Sequence, residues 1–117
     1  GKDEAKLGEL EEIEIAQMEL FGDFLRDLKD VDETDGSLLD NTMVLYGCHM
    51  GDANIHNNVN LPIILAGGGF RHGQHLAYNR DINTPLPNLF VSMLHNLGIE
   101  REQFASSTGS LSGLDRS

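Results

Sequence analysis

The longest periodic stretch of the chain is LGELEEIEIAQMELFGDFLRDLK, residues 7–29. Leu10, Ile13, Gln17, Leu20, Phe24 and Leu28 fall at three- and four-residue steps, and Met18, Phe21 and Leu25 widen the same stripe. That spacing predicts an amphipathic helix. Acidic residues fill its first turns, and Arg26 and Lys29 its last, as the helix dipole favours. Gly8 and Gly22 each weaken it by about 1 kcal/mol against alanine. The stripe is wide and is interrupted at Gln17, so it suits packing on a sheet better than a coiled-coil seam. VDETDGSLLDN, residues 31–41, follows as a connector with Asp35-Gly36 as its turn signal.

Two later runs, TMVLYG (42–47) and LPIILAG (61–67), are apolar without strict alternation, the pattern of strands buried on both faces. The thirteen residues between them, 48–60, are too many for a tight hairpin. They predict parallel pairing through an irregular crossover, or strands that are not neighbours. Residues 68–83 form a glycine-led loop without periodicity. Thr84 is placed to cap a second helix with Pro85 at its first position. Leu86, Leu89, Phe90, Met93, Leu94 and Leu97 give that helix a buried face, and Gly98 ends it. The remainder reads as a tail docking through Phe104, Leu111 and Leu114.

The order helix–strand–loop–strand–loop–helix predicts an α/β fold with a largely parallel sheet. Two wholly apolar strands need cover on both faces and pairing at both edges, and two helices fall short of that. Residues 1–117 therefore read as a single, partial α/β domain, with 1–6 and 115–117 as flexible ends. The expected partner is the rest of a larger chain or a homo-oligomer partner. The opening GKDEAK, without Met, agrees with a piece of something longer.

Composition narrows the functions. A chain of 117 residues that is 39% hydrophobic holds one packed domain at most. Its 19 acidic against 8 basic residues, net charge −11, exclude binding that neutralises a phosphate backbone, so no nucleic-acid partner is expected. No apolar run approaches the roughly 20 residues of a membrane span, so no membrane insertion is expected. A single cysteine cannot form an internal disulfide.

Candidate chemistry concentrates in CHMGDANIHNNVNLP, residues 48–62, directly after an expected strand, where open α/β sheets carry their ligand loops. Asp52 and His56 stand i, i+4 and could face one ion. A carboxylate with an imidazole suits zinc, manganese or iron better than calcium. His49 or Cys48 could supply a third ligand, and His72, His75 or residues outside the chain the rest. The competing reading makes Asp52 the cap of a turn and His56 a backbone partner in a polar loop. Cys48, at the end of a strand, suits packing better than nucleophilic catalysis, because the adjacent His49 points the other way on an extended chain. Gly67–Gly69 follows a strand as phosphate-binding loops do, with Arg71, His72 and His75 near enough to meet an anion. It lacks the Gly-Lys-Ser/Thr ending, and such glycines also serve simply to reverse a loop. His95 reads as a packing histidine.

The run from Leu38 to Leu114, with LLDNTMVLYGCHMGDANIHNNVNLPIILAGGG, GQHL, TPLPNLFVSMLHNLGIE and STGSLSGL, resembles the C-terminal part of a large bacterial family of uncharacterised proteins. That family is usually filed as a domain of unknown function, and its members are commonly exported. MELFGDFLRDLK and DGSLLDNT fit its preceding segment. The family in turn looks like a distant branch of the alkaline phosphatase and sulfatase superfamily, with Asp40-Asn41-Thr42, Pro62-Ile63-Ile64-Leu65 and Leu97-Gly98-Ile99 in the matching places. The resemblance implies part of an alkaline-phosphatase-like sandwich, exported or periplasmic. It further implies a metal-dependent phosphate or sulfate ester hydrolase acting on a small anionic ester. The superfamily's metal-binding Asp-His pair is replaced here by Gly47-Cys48-His49-Met50-Gly51-Asp52, which leaves Asp52, His49 and His56 as the implied ligands of a divalent metal (zinc, manganese or iron). The superfamily's nucleophile and other ligands lie in segments outside this sequence, so the resemblance implies that this chain is not catalytic alone. The missing pair equally suits a non-catalytic exported binding or structural protein. A small oligomeric module, joined through strand edges and the first helix, is the remaining alternative.

Overall fold

The computed structural model describes residues 3–52 and 54–114; Gly1, Lys2 and residues 115–117 of the expected flexible ends lie outside the described residues. The chain parts into two compact units, Gly1–Asn41 and Thr42–Ser117.

In the first unit, α1 runs Glu4–Lys29, three residues longer at its start than the apolar pattern predicts. The extension, which takes in part of the segment expected to be flexible, follows from a cap. Asp3 Oδ1 accepts the backbone N–H of Ala5 at 3.0 Å and of Lys6 at 3.4 Å, satisfying donors that a helix start leaves orphaned. None of the helix's residues is buried; Leu20 keeps 68% of its surface exposed. Beyond α1, β1 (Asp32–Glu33) and β2 (Gly36–Ser37) pair antiparallel around the Thr34-Asp35 turn. Leu39 N–H donates to Leu28 O at 3.2 Å and Leu38 N–H to Val31 O at 2.8 Å, folding this ribbon back on the helix end.

A reciprocal polar knot closes the ribbon. Asp40 Oδ2 accepts from the Ser37 backbone N–H (2.9 Å) and hydroxyl (3.1 Å), while Ser37 Oγ accepts from Asp40 N–H (3.2 Å). The Ser37 backbone donor, then its hydroxyl, and more weakly Lys29, hold the Asp40 carboxyl below its ordinary value. A depressed carboxyl stabilises the fold above its unfolded value, and that contribution is lost as pH falls through the folded one. An NMR titration is expected to place the Asp40 midpoint below the unfolded reference of about 3.9, with the Ser37 amide moving in step. A midpoint at or above the reference contradicts the knot.

In the second unit, β3 (Met43–Gly47) and β4 (Ile63–Gly67) pair antiparallel, with Met43 opposite Gly67, Leu45 opposite Leu65 and Gly47 opposite Ile63. This corrects the expected largely parallel sheet and, with it, the alkaline-phosphatase-like sandwich. The described chain holds two helices and two separate two-stranded antiparallel sheets. The length of the connector misled the prediction because the connector folds on itself. Gly51 N–H donates to Asn57 O at 2.8 Å and Asn57 N–H to Asp52 O at 3.3 Å, nesting a small hairpin loop inside the larger one. Gly51 permits this closure: a side chain there would meet the Val59 carbonyl. Nor are the strands buried on both faces, since Leu45 and Ile64 each remain 38% exposed.

The second helix, α2, spans Pro87–Asn96, with Leu86 at the cap position and no side-chain cap; neither Thr84 nor Pro85 takes its predicted role. Instead Asn88 N–H reaches Pro85 O at 3.0 Å and Leu89 N–H reaches Leu86 O at 2.9 Å, a tight turn of three-residue spacing. Pro87, lacking an N–H, then occupies a first position where no donor is needed. The predicted stop holds. Gly98 N–H donates to His95 O (2.9 Å) and Ile99 N–H to Leu94 O (3.0 Å), and Gly98 sits at φ 79°, the left-handed closure that favours glycine. The core is small: among the described residues Phe70, Leu89 and Val91 are the buried apolar side chains, joined by Asn88 and Ser107. No described helix is long and apolar enough to cross a membrane.

Candidate functional site

The polar loop after β3 was the first candidate. Asp52 Oδ1 accepts from Asn54 N–H at 2.8 Å and Ile55 N–H at 3.4 Å, so the carboxylate caps the turn that the loop makes. His56 lies at φ 51°, in a left-handed turn rather than on a helix. Cys48, His49, Asp52 and His56 are all exposed. Among the described residues no three His, Cys, Asp or Glu side chains gather where they could hold one metal ion. His95 ties α2 to the following turn, its Nε2 standing 2.7 Å from Arg101 O and 3.6 Å from Glu102 Oε1.

The second candidate group, Arg71, His72 and His75, has a different setting. These residues line a cleft of about 860 Å³ in the second unit, within the range of small-molecule sites, roughly 300–1,000 Å³. Leu61 and β4 supply one wall, and Leu76 and Tyr78 another. Thr84–Leu86 and Leu89 add the start of α2, and Leu111 and Leu114 close the rim. Gly67, Gly68 and Gly69 have φ of 75°, 67° and 75°; they reverse the chain after β4, as the bland reading of that triplet expects. His72 Nε2 lies 2.8 Å from Gly67 O; with the proton on Nε2 it donates there and leaves Nδ1 uncommitted to that bond.

The rim is tied down by polar groups from three directions. Asn88, buried on α2, accepts Thr108 N–H through Oδ1 at 2.9 Å and donates through Nδ2 to Thr108 Oγ1 at 3.1 Å. One turn on, Ser92 Oγ accepts Leu111 N–H at 2.8 Å. From the opposite side Gln74 Nε2 donates to Gly113 O at 2.7 Å and Tyr78 OH to Ser112 O at 3.1 Å. Burial pushes the Tyr78 phenol above its ordinary value, which keeps the hydroxyl protonated as a donor. Across the mouth Asn83 Nδ2 donates to Asn60 Oδ1 at 3.3 Å. The tail thus docks through Leu111 and Leu114 as expected, while Phe104 meets Phe90 edge to face at 6.1 Å.

The sequence reading missed this cleft because its walls come from five separated segments. The available signal was the pair Asn88 and Ser92, polar residues one turn apart on a helix otherwise rich in apolar ones, followed by a Ser/Thr/Gly-rich tail able to hydrogen-bond them.

Charge is divided unevenly along the chain. Fourteen acidic and four basic residues precede Thr42, and five acidic and four basic follow it, so a net −10 and a net −1 make up the −11. All five histidines lie in the second part. No family model matches the chain, and no curated protein or solved structure matches it.

Proposed function

We propose that the second unit is a non-catalytic binding module whose cleft takes a small apolar molecule. The observation that supports this reading is the cleft itself: about 860 Å³, with Leu and Ile side chains from β4, the start of α2 and the tail in its walls and polar groups between them. That is the usual make-up of a ligand pocket, where apolar walls supply the binding energy and sparse polar groups the orientation. The hydrogen bonds that fasten Thr108–Gly113 to α2 and to Gln74 and Tyr78 hold the rim before any ligand arrives, which lowers the ordering cost of binding. The other reading, a metal-dependent ester hydrolase with zinc, manganese or iron on Asp52, His56 and His49, rests on the resemblance over Leu38–Leu114. The loop geometry adds nothing to it, since Asp52 Oδ1 is engaged by the backbone.

Titration of the full chain with the neutral dye Nile red, followed by fluorescence and by methyl NMR, tests the proposal. Saturable one-to-one binding is expected, with shifts at Leu61, Leu76, Leu86 and Leu111 and none along the exposed α1 stripe. Leu76→Glu should abolish it while leaving the far-UV circular dichroism unchanged. Shifts confined to α1, or dye binding unaffected by Leu76→Glu, would overturn the reading.

A further inference from the structure

We infer that the ligand of this cleft carries an oxyanion head, a carboxylate or a phosphate, on its apolar body, and that Arg71 and His75 receive the head. The inference rests on the cleft being a ligand site. It adds the ligand's charge, which the cleft volume alone does not give.

Three observations carry it. The chain has 19 acidic residues, yet no Asp or Glu is among the described residues that line the cleft, whereas Arg71, His72 and His75 all are. Arg71 has no ion pair among the described residues; the acid–base pairs present are Arg26 with Asp23 and His95 with Glu102. The neighbouring donor, Gln74 Nε2, is already committed to Arg71 O at 3.0 Å and Gly113 O at 2.7 Å.

The physical consequence is directional. A cationic head would meet the Arg71 guanidinium with no carboxylate among the described lining residues to offset it. A neutral head would gain no charge pairing from Arg71, which is exposed and otherwise met by water. An oxyanion pairs with it, and the low polarity of the wall strengthens the attraction relative to bulk water. A guanidinium offers two parallel donors to a carboxylate or phosphate. The imidazole of His75, four residues along the same loop, adds a donor from the same strip of chain. Ligands of one sign are thereby separated from those of the other within a strongly acidic protein.

The test uses four probes with the same eight-carbon tail: octanoate, octyl phosphate, 1-octanol and octylammonium, each titrated calorimetrically into the full chain. Octanoate and octyl phosphate are expected to bind at least about tenfold tighter than 1-octanol, consistent with a charged hydrogen bond at the head, and octylammonium weakest of all. The ratio between the two anions then tells a carboxylate head from a phosphate head. Arg71→Gln should remove most of the preference for anions without changing 1-octanol affinity, and Arg71→Lys should restore part of it. Thermal melting confirms that each variant is folded, since Arg71 is exposed. Equal affinity for 1-octanol and the anions, or a preference that survives Arg71→Gln and His75→Gln together, overturns the charge inference while the cleft remains a binding site. If neither Nile red nor any of the four probes binds, the cleft reading fails with it.

Discussion

Asn88→Ala is expected to release the Phe104–Leu114 segment from α2 and to lower the stability of the second unit by about 2–3 kcal/mol. Asn88 is only 5% exposed, and its amide makes two bonds to one residue, 2.9 Å from Thr108 N–H and 3.1 Å to Thr108 Oγ1. Truncation removes both bonds at once from a buried position on α2, so the loss exceeds that of an ordinary surface hydrogen bond. In a unit of this size each 1 kcal/mol moves the melting temperature by about 4–8 °C, so a drop on the order of 10 °C is expected. Ser92→Ala, which removes the bond to Leu111 N–H at 2.8 Å, should cost about 1 kcal/mol. The two losses share one segment and should not add. The functional readout is distinct from the melt. Leu111 and Leu114 line the cleft, so amide exchange at Thr108 and Leu111 should quicken and Nile red affinity should fall even well below the melting temperature. An unchanged melt with undiminished protection at Thr108 would show that the segment is held by something other than Asn88.

What could be read in advance was what local chemistry decides. The α1 stripe depends only on spacing within one helix, and the Gly98 stop on one residue's freedom at positive φ; both are found. The two apolar runs became strands, but their direction of pairing lies outside any single run. It was set in the connector, by Gly51 closing on Asn57 and by Asp52 capping its own turn, and length alone argued the opposite way. The metal expectation failed to gain support for a related reason. Asp52 and His56 at i, i+4 could meet one ion on a helical turn or a curled loop; this stretch is a turn in which Asp52 Oδ1 is taken up by backbone N–H groups and His56 lies at φ 51°. Arg71, His72 and His75 read as residues near enough to meet an anion beside a glycine loop that equally serves to reverse the chain. They do share a surface, though it is the cleft rather than a cradle of glycine amides, because Gly67, Gly68 and Gly69 are used in reversing the chain. Asn88 was passed over because a polar residue within an apolar helix reads as surface until its partner, twenty residues on, is known.

Gly68→Ala should be strongly damaging for a single added methyl, and its effect separates two causes that usually travel together. Gly68 is buried at φ 67°, a conformation that costs an L-residue about 1 kcal/mol or more. An added Cβ would also stand 2.5 Å from Met43 Cγ and 3.2 Å from Asn96 Nδ2. Met43 opens β3 and Asn96 donates to Gly68 O at 2.8 Å, so relief of the clash moves either the strand or that hydrogen bond. We expect a total loss of about 2–4 kcal/mol. Gly73→Ala supplies the control. Gly73 has φ 77°, but nothing lies within 4 Å of its would-be Cβ, so only the conformational part, about 1 kcal/mol, should appear. Urea unfolding of both variants gives the packing part by difference. Met43→Ala in the Gly68→Ala background then tests its source: with Cγ gone, the double variant should be more stable than the two single losses added together. Losses of equal size at Gly68 and Gly73, or strict additivity with Met43→Ala, would mean that the turn after β4 is not packed against Met43 of β3 as described.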